Sequence, residues 1–158
     1  MLGSVFILCS DNTELSAMAV SISSNYDVVL AHNINEAASL FKKNQKARLA
    51  YVEISSDMQS SIQQIYNYGR LGMEVIALVK PPCPEPVLEA YKRGRILDIL
   101  EFPIDLIKFY TKTCYIMTHC YQKGNTDNSL SSILTQEEIQ FILNTYKTDY
   151  PTALASNN

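Results

Sequence analysis

The sequence has few of the residues that build loops for binding nucleotide phosphates. It contains 5 glycines in 158 residues. None stands in a GxGxxG or GxxxxGK[ST] array, the patterns that cradle phosphates. Charged residues make up only 18% of the chain, and the net charge is -3. A domain that binds nucleic acid is usually basic. We therefore expect no nucleic-acid partner and no nucleotide site of the common glycine-rich kind.

Metal-binding patterns are also missing. The four cysteines, Cys9, Cys83, Cys114 and Cys120, show no CxxC spacing of the kind that zinc sites use. His119 precedes Cys120, but adjacent side chains on a helix point about 100° apart, which disfavours them as a ligand pair. We predict no metal and no cofactor. Isolated cysteines are typical of a reducing compartment, so we expect a cytoplasmic location.

No apolar run approaches the ~20 residues that a membrane-spanning helix needs, so we expect no membrane partner. The first segment, MLGSVFILCSDN, is apolar in part. It lacks the basic residues that precede the apolar stretch of a signal peptide, and an acid follows at once. The pattern therefore predicts a first buried strand.

Short apolar runs alternate with segments of helical periodicity along most of the chain, and 47% of all residues are hydrophobic, enough for a core. The strands are apolar almost throughout, as expected when both faces of a sheet are covered. This order predicts a doubly wound α/β fold with a five-stranded parallel sheet. We expect strands at 4–9, 26–31, 49–54, 75–79 and 96–100, and helices at 11–25, 34–44, 57–68, 86–94 and 104–122.

The C-terminal part follows a different pattern. Residues 1–122 form the main predicted domain, and the polar stretch 123–133 is a linker. Residues 134–147 predict an amphipathic helix, because Thr135 and Glu138 form a capping box and the apolar residues fall on one stripe. We expect 148–158 to form a flexible tail.

The stretch LEAYKRGRILDILEFPID (88–105) carries Ala90, Gly94 and Pro103 in the pattern of a helix, A-x-x-x-G, a strand and then Lys-Pro. With the five βα units, residues 4–122 resemble the CheY-like receiver domains of two-component response regulators. The resemblance implies a flavodoxin/CheY-like sheet of order 2-1-3-4-5 with an appended C-terminal helix. It also implies a signalling protein rather than an enzyme.

Receivers of this family hold Mg²⁺ with an acid pair after strand one and accept the phosphoryl group on an aspartate after strand three. A hydroxyl residue after strand four and a lysine before the proline bind the phosphoryl oxygens. The resemblance places this chain's counterparts in the same order: Cys9 and Ser10 (with Asp11 next), Glu53, Val79, Phe102 and Pro103. Only the proline is clearly retained. The pocket is therefore predicted to be degenerate, and the chain to be a pseudo-receiver.

Two carboxylates leave alternatives open. Glu53 is either a permanent mimic of the charged state or a strand-end carboxylate bonded to local backbone N–H groups or to Ser55. Asp57 is either a substitute acceptor or the cap of the next helix. If Glu53 or Asp57 accepts phosphate, the chain is a divergent but working response regulator, in chemotaxis or flagellar control. A small α/β enzyme or ligand binder would instead use Ser10, Asp11 and Glu53, with His32 near.

The predicted fifth helix is apolar over most of its circumference, so a second surface must cover the side that faces away from the sheet. That surface is a protein partner, a second copy of the chain or the C-terminal helix, and we expect a homodimer. Segment 133–143 resembles the N-terminal segment of the flagellar switch protein FliM, which docks on CheY at the face of helix four, strand five and helix five. The predicted interface residues are Tyr110, Cys114, Tyr115, Met117, Tyr121, Ile139, Ile142 and Leu143.

Overall fold

The structure is a computed structural model that describes residues 3–43 and 46–124, with side chains up to residue 119. The chain divides into two compact units, Met1–Leu106 and Ile107–Asn158. The strands are β1 (Ser4–Leu8), β2 (Asp27–Ala31), β3 (Ala47–Glu53), β4 (Glu74–Val79) and β5 (Asp98–Glu101). The helices are α1 (Asn12–Ile22), α2 (Ile34–Lys43), α3 (Met58–Arg70), α4 (Glu85–Lys92) and α5 (Leu106–Gly124).

The first unit is built on one sheet in which all neighbouring strands are parallel, in the order β2-β1-β3-β4-β5. This confirms the predicted fold class and strand order. The central strand β3 pairs with β1 on one side, Tyr51 facing Ile7, and with β4 on the other, Tyr51 facing Ile76. All three side chains are fully buried. Burial of this kind is what continuous apolar strands predict.

The two faces of the sheet are separated by the alternation of side chains along each strand. On one face a single core cluster joins strand residues such as Phe6 and Val52 to Ile65 of α3 and Val87 of α4. Helix α1 lies against β1 and β2 and buries Leu15, Met18 and Ile22. Right-handed crossovers put α1 on the opposite face from α2, α3 and α4, because β2 and β3 lie on opposite sides of β1.

Some predicted boundaries of strands and helices differ from those in the structure. Strand β5 begins at Asp98 rather than at residue 96, because the chain is still leaving the turn after α4. Ile96 is buried within that turn, and the Leu97 N–H donates to the Val75 carbonyl at 2.7 Å. Helix α3 runs to Arg70, two residues beyond the predicted end at residue 68, so Gly69 lies inside the helix.

Helix α5 is assigned through Gly124, two residues beyond the predicted boundary of the main domain. The predicted helix at 134–147, the tail at 148–158 and the rest of the predicted linker lie outside the described residues. None of the helices in the described part of the chain has the length and apolar character needed to cross a membrane.

Helix α3 ends in a Schellman motif, which fixes the start of β4. The Gly72 N–H donates to the Gly69 carbonyl at 3.1 Å, and the Met73 N–H donates to the Tyr68 carbonyl at 3.2 Å. Gly72 has φ +86, in the left-handed region where a Cβ is unfavourable. Gly69, by contrast, is helical, and a Cβ there would meet nothing within 4 Å.

These two glycines predict stability changes of opposite sign. Gly72→Ala is expected to lower the free energy of unfolding by about 1–2 kcal/mol, because the Cβ of alanine is strained in the left-handed backbone conformation. Gly69→Ala is expected to raise it by about 0.5–1 kcal/mol, because alanine favours the helix and restricts the unfolded chain. Urea unfolding followed by circular dichroism measures both. Equal shifts in the two variants would contradict the assigned end of α3.

Candidate functional site

The carboxyl ends of the parallel strands meet at one edge of the sheet, where sites form in folds of this type. Two open clefts lie there, of about 480 Å³ and about 500 Å³, and both are lined by Ser10, Glu53 and Ser55. The first also borders Val79, the last residue of β4, and Lys80, which follows it, whereas the second borders His32 beyond β2. The structure therefore gathers the predicted pocket residues Ser10, Glu53 and Val79 around one cleft.

Glu53 is bonded across the sheet edge to Ser10, 43 residues away in the sequence. Its Oε2 accepts a hydrogen bond from the Ser10 backbone N–H at 2.5 Å, and its Oε1 accepts one from the Ser10 hydroxyl at 3.1 Å. The expected partner Ser55 is engaged elsewhere, since its N–H donates to the Ser61 hydroxyl and its hydroxyl to the Asp57 carbonyl. Both oxygens of the carboxylate at the acceptor position are thus already hydrogen-bonded.

The positions of the acid pair hold no carboxylate that faces the cleft. Cys9 is fully buried, and burial is the main cause that raises the pKa of its thiol to about 11. A neutral thiol is a poor ligand for Mg²⁺, which prefers oxygen ligands. Asp11 serves as the N-cap of α1, because its Oδ1 accepts from the N–H groups of Thr13 at 2.9 Å and Glu14 at 3.0 Å.

The other two family positions are apolar and differ in exposure. Val79 is 1% exposed. Phe102 is half-buried, and its backbone N–H donates to the Val79 carbonyl at 2.9 Å. Pro103 follows Phe102 through a cis peptide bond. These side chains offer neither a hydroxyl nor a cation to a phosphoryl group.

Lys80 is a residue of the cleft that the sequence reasoning missed. It is exposed, directly follows β4 and lines the same cleft as Glu53. Within residues 3–43 and 46–124, it forms no ion pair with a carboxylate. Its position immediately after an apolar strand was the signal that could have placed it at the sheet edge.

Asp57 is the N-cap of α3, which confirms one of the two alternatives left open for it. Its Oδ1 accepts from the Ser60 backbone N–H at 3.2 Å and its Oδ2 from the Ser60 hydroxyl at 2.6 Å. These bonds lower the pKa of the Asp57 carboxyl. The stabilised carboxylate is therefore engaged at the start of a helix.

His32 lines the second cleft together with Ser10 and Glu53, as the ligand-binder alternative requires. Its Nδ1 lies 3.1 Å from Glu36 Oε2, and its backbone N–H donates to the same oxygen at 2.8 Å. These two bonds lower the pKa of the Glu36 carboxyl. The imidazole is therefore partnered with the helix start, and it has no hydrogen bond to Ser10 or Glu53.

The predicted interface residues on α5 differ in exposure. Tyr110 is 40% exposed, Cys114 and Tyr115 are partly exposed, and Met117 is 3% exposed and so buried. The side chain of Tyr121, together with Ile139, Ile142 and Leu143, lies outside the described part of the structure. Over the residues that the structure describes, no group of three or more His, Cys, Asp or Glu is placed to hold a metal ion.

No protein-family model matches the sequence, and no curated protein is similar to it in sequence. Solved structures do match the fold. A response regulator from Thermotoga maritima gives a TM-score of 0.63 at 14% identity, over 73% of this chain and 97% of that one. A CheY-like response regulator receiver domain protein from Methanospirillum hungatei JF-1 gives 0.63 at 18% identity, over 76% and 98%.

The signal receiver domain of a modulated diguanylate cyclase from Desulfovibrio desulfuricans G20 also matches, with a TM-score of 0.62 at 15% identity over 78% of this chain and 99% of that one. The chain therefore has the fold of CheY-like receiver domains, as the sequence predicted. At identities this low, the likeness establishes the fold and leaves the chemistry to the residues of the site.

The buried thiol at the site gives a prediction that depends on pH. A pKa of about 11 leaves Cys9 only about 0.1% thiolate at pH 8, and the thiolate is the reactive form. We expect iodoacetamide to modify Cys9 at least ~10-fold more slowly than the partly exposed Cys83 in the folded protein. Peptide mapping by mass spectrometry resolves the two sites.

Unfolding in urea is the matched control, and it should bring the two rates together. Raising the pH toward 11 should speed the modification of Cys9 only to the extent that reagent reaches it. Rapid labelling of Cys9 at pH 8 in the folded protein would show that the thiol is accessible, against the structure.

Proposed function

We propose that this chain is a receiver-like protein-interaction module that works without phosphoryl transfer and is not an enzyme. The single observation that carries the proposal is the pair of hydrogen bonds between Glu53 and Ser10. A carboxylate stands at the acceptor position, and both of its oxygens are held by donors from the end of β1. Hydrogen bonds to both oxygens stabilise the charge of the carboxylate and hold it against Ser10, which lowers its nucleophilicity toward a phosphoryl donor.

The surroundings of Glu53 support the same proposal. A phosphoryl group carries about two negative charges at pH 7. In this cleft it would meet the apolar side chain of Val79, the counterpart of the family's hydroxyl residue, while Phe102, the counterpart of the family's lysine, does not line the cleft. Leaving such charge without partners costs several kcal/mol. The exposed Lys80 is the one cation that borders this cleft among the described residues, and a solvated lysine offsets little of that cost.

The alternative function, a divergent switch that accepts phosphate at Glu53 or Asp57, makes the opposite prediction. A phosphoryl group on Glu53 would convert one oxygen into a poorer acceptor and weaken a bond to Ser10, and one on Asp57 would weaken the cap of α3 in the same way. Losing a cap costs about 0.5–2 kcal/mol of stability. Phosphorylation at Asp57 would therefore destabilise the start of α3. For this reason we favour an interaction module that works without phosphoryl transfer.

Amide NMR with Mg²⁺ and then beryllofluoride, a mimic of the acyl phosphate, tests the proposal. We expect no saturable shift at residues 10, 53, 79 and 102, because the pocket lacks the metal ligands and the cation that hold the mimic. A receiver with the complete residue set, measured in the same buffer, is the positive control.

Acetyl phosphate labelling followed by mass spectrometry tests the alternative directly. We expect no phosphoryl adduct. If an adduct forms, Glu53→Gln and Asp57→Asn identify the acceptor, and its appearance would overturn the proposal. Loss of the adduct in one variant alone would assign the site.

The partner of the module is proposed to be a second copy of the chain or another protein, docked on α5. Ile107 is 76% exposed and Tyr110 is 40% exposed, and both stand in the first two turns of this helix. Large apolar groups with a polar tip are enriched at protein interfaces. Ile116 is 6% exposed, so a charge there would disturb packing as well as any interface and makes a poor probe.

A charged variant on α5 tests the homodimer. In sedimentation velocity, we expect the wild-type chain to be a dimer and Tyr110→Glu to shift it toward the monomer, because the new charge would have to be desolvated in the interface. Val20→Glu on α1, where the side chain is 74% exposed, is the matched control and should remain dimeric. A monomeric wild type, or an unchanged Tyr110→Glu, would contradict a homodimer through this part of α5.

A further inference from the structure

Three arginines line one open cleft at the edge of the sheet opposite to Glu53. The cleft has a volume of about 530 Å³ and is lined by Tyr66, Arg70, Arg93 and Arg95. Arg70 ends α3 just before β4, and Arg93 and Arg95 lie in the turn between α4 and β5. All of these positions precede strands, so the cleft lies at the amino ends of β4 and β5.

The turn after α4, which carries Arg93 and Arg95, has the same hydrogen-bond pattern as the turn after α3. At the end of α4, Gly94 has φ +73, and its N–H donates to the Tyr91 carbonyl at 3.0 Å. The Arg95 N–H donates to the Ala90 carbonyl at 2.9 Å. This is the Schellman pattern already found after α3. Arg93 and Arg95 thus flank a turn with defined hydrogen bonds rather than a loose loop.

Tyr66 orients one of the three side chains. The Arg95 guanidinium lies over the Tyr66 ring, with Cζ 5.5 Å from the ring centroid. Contacts of this geometry are attractive and hold the planar guanidinium against the ring face. Arg95 is therefore restrained toward the cleft by a contact that leaves its N–H groups able to donate.

Among the described residues, those that line the cleft include three arginines and no carboxylate. Within the described ranges 3–43 and 46–124, no carboxylate forms an ion pair with Arg70, Arg93 or Arg95. The carboxyl ends of α3 and α4 each supply about −0.5 of an elementary charge. Counting only the lining residues and the two helix ends, three guanidinium groups leave an excess of about +2. The net charge of the chain is -3.

The excess charge indicates which anion would fit. A single carboxylate carries one negative charge and is satisfied by one guanidinium through two parallel hydrogen bonds. A pair of phosphoryl groups carries two or more charges and several acceptor oxygens, and it can engage all three arginines. We propose that this cleft binds a compact anion with two or more linked phosphoryl groups, either as free diphosphate or as part of a nucleotide.

Isothermal titration with sodium pyrophosphate, without added metal and at 0.15 M salt (about the physiological ionic strength), tests the proposal. We expect saturable binding, weakened about tenfold or more in Arg93→Gln/Arg95→Gln, because two charge-assisted contacts are lost. Lys42→Gln/Lys43→Gln on α2 is the matched control, since it removes the same number of charges far from the cleft in sequence. It should leave the affinity within about twofold.

Two further experiments test what the cleft recognises in its ligand. Arg93→Lys/Arg95→Lys keeps the charge but loses the planar fork, so it should bind more weakly than the wild type and more tightly than the glutamine variant. Titration with ADP shows whether a nucleoside contributes: tighter binding than pyrophosphate identifies a nucleotide, and equal binding identifies the diphosphate group alone. In NMR, the shifts should fall at residues 66–70 and 93–95.

Several outcomes would overturn the proposal. The first is that pyrophosphate shows no saturable binding. The second is that Lys42→Gln/Lys43→Gln loses as much affinity for pyrophosphate as Arg93→Gln/Arg95→Gln does. The third is that succinate binds as tightly as pyrophosphate. The last would assign the cleft to carboxylates. Binding here is independent of beryllofluoride at Glu53, so failure of this inference and failure of the proposed function are seen at different residues and with different reagents.

Discussion

Every site in the first unit depends on the fact that all five strands of the sheet are parallel. Parallel pairing puts every strand's carboxyl end at one edge and every amino end at the other. It brings Ser10 to Glu53 although 43 residues separate them, and it brings the ends of α3 and α4 together at the opposite edge. With β3 buried on both faces between β1 and β4, neither edge can shift without disrupting the central pairs.

At the carboxyl edge, the length of the Glu53 side chain decides which donors its carboxylate reaches. Glutamate has one more methylene than aspartate, so from the end of β3 its carboxylate reaches the donors of Ser10. That contact joins the end of β3 to Ser10, just beyond β1, and so links two neighbouring strands of the sheet. The replacement of polar neighbours by Val79 and Phe102 fits the same environment, because apolar side chains there leave no donor or cation unpaired.

The sequence predicted those features that depend on local pattern, and it missed those that depend on distant contacts. The strands follow from periodicity and their order from the resemblance, and the Asp57 cap is one of the two roles that the sequence left open. The partner of Glu53 did not follow, because nothing near residue 53 marks Ser10 as its donor. The start of β5 was misplaced because Ile96 and Leu97 are as apolar as strand residues, and only the turn at Gly94 excludes them from the strand.

The arginine cleft illustrates the same limit from the side of electrostatics. Arg70 and Arg93 lie 23 positions apart, and each is an ordinary residue for a helix end, where a cation complements the partial negative charge. The cluster of positive charge forms only because α3 and α4 end side by side, which brings the arginines at the two helix ends together. In ligand-binding folds of this architecture the carboxyl edge is the usual site. Here that edge has an internally hydrogen-bonded carboxylate and the apolar Val79, while three arginines that form no ion pair with a described carboxylate lie at the amino edge. The anion site that we propose therefore lies at the amino edge, opposite to the edge where the fold would lead one to look for it.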